Sequence, residues 1–329
     1  MDKKSTWIFL VSLLVALSLA WSTPADAVRK LKYGHNTKQD QPTGKAALKF
    51  AELAKQKTNG EIIVEVFPAN QLGNNRQMAE NVKMDAQDLT TMGLAALGYL
   101  NDNFMMMQVP YVFRSQEHIQ KVVRGPLGQR IKADLAKKDQ IILLAMDWDR
   151  MVRHIGGRKP IRVLADLKGY KVRAGVLPPI AGFKALGASP VKIPLNEMYV
   201  ALQQGVADGA ELPVDYFYEY SIYEVAKYLN LTYHTYGTQF LGINKRVWES
   251  LKPEHQKALQ QAADEAGAYN NKLVAELQDD YMAKLKKAGM KMIQTNVEEL
   301  RHALRSRIPE IAKNWPGTLE IYEKIQATP

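Results

Sequence analysis

No cysteine occurs among the 329 residues, so disulfides, thiolate metal sites, cysteine nucleophiles and lipidation of an N-terminal cysteine are all excluded. Catalytic signatures are equally scarce: there is no GxSxG elbow, no Walker A loop, no GxGxxG fingerprint and no HExxH motif, which removes the commonest hydrolase, nucleotide-binding and zinc-protease readings. The six histidines, His35, His118, His154, His234, His255 and His302, stand singly. Packing or surface roles are expected for them, and no metal. The net charge is +10, which raises the local concentration of anions. The lysines, Lys284, Lys286, Lys287 and Lys291 among them, are scattered along helices without interleaved aromatics, so nucleic acid is not an expected partner. Beyond the first residues, no segment approaches the ~18–20 uninterrupted apolar residues that a membrane span requires.

What is present begins with an export signal. Lys3 and Lys4 precede an uncharged run from Ser5 to Thr23, and Ala25-Asp26-Ala27 supplies a small-x-small cleavage site. Residues 1–27 are therefore read as a secretory signal peptide cut after Ala27, leaving a soluble chain in a bacterial periplasm. Hydrophobic residues make up 46% and charged residues 24%, ordinary for a globular protein, and about 300 mature residues suggest two domains. Strand-like Arg29–Asn36, Glu61–Phe67 and Asp88–Met92 alternate with helical patterns, the sign of an α/β sheet. Met105-Met106-Met107 is expected to be core packing. From Pro253 to Ala288 runs an unbroken helical stripe, roughly 50 Å long at 1.5 Å per residue and so longer than a small domain.

The stretch from Asp147 to Arg173 is the centre of the functional reading. It follows a strand-like run, Gln140–Met146, carries Arg150, Arg153, Arg158 and Arg162, and ends on a second strand-like piece, Gly169–Arg173. In an open α/β sheet ligands bind beyond the carboxyl ends of strands, where Arg153 and Arg173 are expected to lie. A guanidinium offers paired donors that match a carboxylate or phosphate; surface exposure or a structural ion pair is the alternative for either arginine. Asp147 and Asp149, flanking Trp148, could act as acid and base but are expected to pair with Arg150 or Arg153 instead. Tyr216, Tyr220 and Tyr223 share one helical face on spacing, as core or as a wall for an apolar ligand.

Several segments together resemble one family. Lys168-Gly169-Tyr170-Lys171-Val172-Arg173, Leu186-Gly187-Ala188-Ser189-Pro190, the run from Glu197 to Gly209, and Tyr223–Leu229 are similar to the DctP-type solute-binding receptors of tripartite ATP-independent periplasmic (TRAP) transporters. Val66–Gly73 and Val109–Phe113 match the same family in the first half. The resemblance implies a two-lobed α/β periplasmic receptor of type II-like fold, a long helix spanning both lobes, and delivery of an organic acid to a membrane permease. It implies no enzyme activity, no cofactor and a monomer. It also implies lobes formed by residues 28–150 with 238–277 and by residues 151–237 with 278–329. In such receptors an arginine at the KGxKxR position, here Arg173, holds the ligand carboxylate. Arg153 matches a second arginine, and Asn36 matches a ligand-contact position.

Elsewhere the chain departs from the sugar-acid receptors of that family. Leu212 replaces an asparagine that follows DGxE, Val176 and Leu195 stand where polar and aromatic residues occur, and Gly93 stands where a glutamate occurs. With Trp148 and Tyr216 close in sequence, the expected ligand is an aromatic or branched aliphatic monocarboxylate or 2-oxo acid. A C4-dicarboxylate, a sugar acid or a purely sensory role are the alternatives. The candidate ligand-binding residues are Arg173, Arg153, Asn36, Trp148, Leu212, Leu195, Val176, Gly93 and Tyr216.

Overall fold

Two strands of unusual length organise the molecule. In a computed structural model describing residues 28–329, β4 (Ile141–Gly157) and β8 (Tyr228–Asn244) are each 17 residues long and pair antiparallel along their length. The signal peptide expected at residues 1–27 lies outside the described residues. β1 (Arg29–Gly34), β2 (Ile62–Phe67), β3 (Leu89–Gly93), β5 (Val172–Ala174), β6 (Val191–Lys192), β7 (Gly209–Pro213) and β9 (Lys291–Gln294) complete one nine-stranded sheet. Its order is β2-β1-β3-β8-β4-β7-β5-β6, with β9 paired to β8.

One lobe gathers β2, β1 and β3 around residues 239–244 of β8, and the other gathers β7, β5, β6 and β9 around residues 228–235. β1 shows why the first lobe forms: Leu31 and Tyr33 alternate inward while Lys30 and Lys32 stay outward, the period of a pleated strand. They pack with Phe50, Leu53 and Ile62 in one core, and a second core around Met198, Leu202, Leu212 and Phe217 serves the other lobe. A third cluster joins Phe104, Met106 and Met107 to Leu300, Ile308, Trp315 and Ile325 of the C-terminal helices and to Phe183. The methionine run is thus core.

Between the lobes the β4–β8 ribbon is irregular, with register shifts from Leu143 to Ile155. Asp149 stands opposite Thr238 and Arg150 opposite Gly237. The long helix, Pro253–Lys287, lies along this crossing. Its small residues Ala262, Ala263, Ala266 and Gly267 let it approach the ribbon so closely that a Cβ on Gly267 would stand 2.5 Å from Trp148 Nε1. Farther along, Asn271 accepts from the Asp149 backbone N–H (2.7 Å) and donates to the Asp147 carbonyl (2.8 Å), while Asn270 donates to the Asp149 carbonyl (3.0 Å). Irregular backbone has polar groups that regular pairing leaves unmet, and these amides satisfy them.

Candidate ligand-binding cleft

Beside the crossing lies a cleft of about 320 Å³, lined from both lobes. The first lobe contributes Asn36, beyond the end of β1, and Gly93, Leu94 and Ala95 at the end of β3. A Cβ built on Gly93 meets nothing within 4 Å, so this wall is open space where a glutamate would intrude. From the second lobe come Arg173 of β5, Val176 at the start of the Leu177–Ala185 helix, Leu195, Leu212 of β7, and Tyr216. Arg150 and Arg153 line it from β4.

Trp148 is placed elsewhere. It is wholly buried in the first lobe's core, its indole N–H donating to the Ala263 carbonyl (3.3 Å). Trp148 faces the long helix. Of the nine candidate residues, the other eight line the cleft. Arg153 is not at a strand end, because β4 continues to Gly157. Asp147 pairs with Arg124 (2.7 Å), and Asp149 accepts from Gln116 (2.6 Å) and Gln120 (2.7 Å), so neither carboxylate takes Arg150 or Arg153 as partner. The expected tyrosine face is broken at Ser221, whose φ of +53° ends one helix before the next. Tyr216 packs on Tyr220, whereas Tyr223 stacks on Tyr218 at 5.5 Å.

Charge in the cleft is unevenly committed. Arg153 Nε donates to Glu211 Oε2 at 2.6 Å, and its Nη2 donates to the Glu211 carbonyl. Burial pushes the Glu211 carboxyl up, but Arg153, His234 and Arg173 outweigh it and hold it below the ordinary value. His234 Nε2 lies 3.5 Å from Glu211, and burial keeps that imidazole below its usual pKa and so neutral. Arg150 donates to the Tyr216 hydroxyl (3.3 Å) and lies over its ring. Burial works against its charge, and Tyr216 and Asp215 overcome this. Asp215, buried behind Arg150, is pushed up to about 6.

Arg173 is different. It is 4% exposed, its Nε donates to the Ile193 carbonyl (2.9 Å), and no carboxylate among the described residues lies within ion-pair distance. Burial pulls its pKa down, with Glu211 opposing and Arg153 adding to the effect, yet a guanidinium remains charged. A buried cation without a bonded counter-ion is costly, and an anion entering the cleft removes that cost.

Other polar groups in the lining had no signal in the sequence. Asn75 Oδ1 and Thr235 Oγ1 are buried without partners, and Gln108 also lines the cleft. They arrive from a helix start, a long strand and the end of a short 3-10 helix, so no spacing links them. Among the described residues no group of three or more His, Asp or Glu could hold a metal, and no helix is long and apolar enough to cross a membrane.

The family model for DctP, bacterial extracellular solute-binding protein family 7, matches residues 33–315. The chain belongs to this family. It is 35% identical over 284 residues to the 2,3-diketo-L-gulonate-binding periplasmic protein YiaO of Escherichia coli, 86% of each chain being covered. It is 34% identical over 279 residues to the C4-dicarboxylate-binding periplasmic protein DctP of Rhodobacter capsulatus, with 83% of each covered. A crystal structure of a TRAP periplasmic solute-binding protein from Polaromonas, bound to D-erythronate, superposes with a TM-score of 0.81 at 30% identity, covering 91% of this chain and 98% of that one. The DctP-family chain is thus a two-lobed TRAP solute-binding protein of the periplasm, and its relatives bind small carboxylates.

Proposed function

We propose that this DctP-family protein captures a short hydroxylated or keto-bearing organic acid in its cleft and delivers it, as a monomer, to the membrane permease of a TRAP transporter. The observation carrying this reading is Arg173, a buried guanidinium at the cleft whose charge has no bonded counter-ion. Its free fork takes the carboxylate. Asn36, Asn75, Gln108, Thr235 and Arg150 then offer partners for hydroxyl or keto oxygens. A hydroxyl left unpaired against an apolar wall costs about 1–3 kcal/mol, and here several polar groups stand ready to avoid that cost. The relatives' ligands, diketogulonate and erythronate, are of this kind.

A second reading rests on the apolar part of the lining, Leu94, Met151, Val176, Pro179, Leu195 and Leu212. An aromatic or branched aliphatic monocarboxylate or 2-oxo acid gains ~25 cal/mol per Å² buried there but leaves Asn75 and Thr235 unpaired. A thermal-shift screen decides between them, since a ligand of the folded state raises stability by RT ln(1 + [L]/Kd). Aldonates, keto sugar acids and hydroxylated short acids are expected to raise Tm most, with C4-dicarboxylates intermediate. Strong shifts from aryl or branched-chain acids, with none from the hydroxylated acids, would reverse the order. Uptake by vesicles carrying the two membrane subunits tests delivery, and a ligand bound tightly but never transported would point to sensing.

A further inference from the structure

A second cavity, of about 250 Å³, lies between the loop carrying Tyr111 and Arg114 and the three C-terminal helices, and shares no lining residue with the cleft. Leu304 and Ile308 give it apolar lining, and Arg114, Arg301 and Arg305 face it against a single carboxylate, Glu298. Arg114 is committed to the carbonyls of Gln326 and Thr328. Arg301 reaches Glu298 through Nη1 alone, and its Nε is buried without an acceptor. Arg305 faces the same cavity, and no carboxylate among the described residues lies within ion-pair distance of it.

Tyr111 adds an independent sign. It is 6% exposed, and its hydroxyl is buried without a partner. Burial holds that phenol far above its ordinary pKa, so it remains a donor. Its backbone takes the left-handed conformation, φ +61°, and its N–H donates to the His234 carbonyl at 2.7 Å. A tyrosine is held in a strained conformation, with a buried hydroxyl left over, beside a guanidinium with a buried N–H left over. Unmet buried donors are uncommon in folded proteins, and two at one basic cavity call for an acceptor carrying negative charge.

We propose that this cavity is a second binding site, for a small dissolved oxyanion bearing a carboxylate or phosphate group, which accepts from the Tyr111 hydroxyl and Arg301 Nε and is neutralised by Arg301 and Arg305. The volume equals that of roughly eight waters at ~30 Å³ each, enough for one oxyanion head and a short body. The concave, part-apolar lining favours a dissolved molecule over a lipid headgroup presented on a flat bilayer.

Titration of the mature protein with inorganic phosphate, and separately with citrate, is read by backbone amide NMR shifts. Saturating shifts are expected at Tyr111, Arg301, Arg305 and Tyr322 for at least one of the two anions. Arg301→Gln is expected to weaken this binding about tenfold and Tyr111→Phe several-fold, with binding of acids in the cleft unchanged. Arg173→Ala is expected to leave the second site intact. Shifts that never saturate and are matched by chloride at equal ionic strength mean an adventitious ion only and overturn the proposal. So does loss of the same shifts in Arg173→Ala, or binding to phosphatidylglycerol vesicles with none to either dissolved anion. Tyr111→Phe removes one oxygen without changing shape, so it keeps the test valid if Arg301→Gln folds poorly.

Discussion

Arg153 and Glu211 are joined at 2.6 Å in the wall of the cleft, so the arginines that line the site are not equivalent. Arg153 is balanced by a carboxylate that is itself 1% exposed, and Arg173 has no such partner. Removing one member of a buried pair strands the other charge at a cost of about 3–5 kcal/mol. Arg153→Ala should therefore destabilise the unliganded protein strongly, while Arg153→Ala with Glu211→Leu should recover most of the loss. Urea denaturation of the two single variants and the double supplies the cycle. Additive losses would show that the pair is not coupled.

Arg173 should behave in the reverse way. Relief of an unpaired buried cation makes Arg173→Ala neutral or mildly stabilising without ligand, yet the change should cost roughly 2–5 kcal/mol of binding. Lysine restores only part, because a point charge cannot reproduce the planar fork. Titration calorimetry with the best acid of the screen measures both, and undiminished affinity in Arg173→Ala would place the carboxylate elsewhere.

The stability of the protein should fall on acidification from neutrality. Burial holds His35 down at about 4 and His154 at about 3, against an ordinary 6.5. The unfolded chain then binds more protons than the folded one, so their stabilisation is whole above pH 6.5 and is lost as the pH falls through that window. Asp215, raised to about 6 from 3.8, acts oppositely: its contribution is present below pH 3.8 and lost as pH rises through 6. Two histidines with larger shifts outweigh one aspartate, so Tm should drop between pH 6.5 and 4.5. His154→Gln should flatten that slope. A Tm that is level or rising over the same interval contradicts the assignment.

Ligand should draw the lobes together about the crossing where Asp149 faces Thr238 and Arg150 faces Gly237, with the Pro253–Lys287 helix bending or pivoting. Irregular pairing there gives the ribbon its compliance, and the amides of Asn270 and Asn271 keep it attached to the helix. Closure of this hinge kind should lower the radius of gyration in small-angle scattering at saturation. An unchanged profile would mean a rigid, preformed pocket.

Much of this architecture was legible because its signals are local. The period of β1, the stop at Gly289 and the unbroken stripe of the long helix are written in consecutive residues. β4 was harder. The run Asp147-Trp148-Asp149-Arg150 resembles a charged loop, yet it is a strand whose charges find partners on distant helices and whose indole enters the core. Sequence proximity to arginines therefore misplaced Trp148, whose indole turns to the long helix and not to the cleft. Asn75 and Thr235 were missed for a related reason: a side chain that lines a cleft from a helix start or a long strand carries no motif. The left-handed Ser221 that splits the tyrosine helix is not a glycine and gave no warning.

The pairing of β3 with β8 has a kinetic consequence. Leu89 lies against Ile243 and Gly93 against Gln239, so the sheet of the first lobe cannot close until the chain has been extended past residue 244. Contacts of such separation carry a large loop-closure entropy and form slowly. A nascent chain of this protein is thus expected to stay open until β8 has been made, a useful property for a polypeptide bound for export. The lobes should also refuse to be expressed apart: a chain truncated before β8 lacks the strand that both of them share.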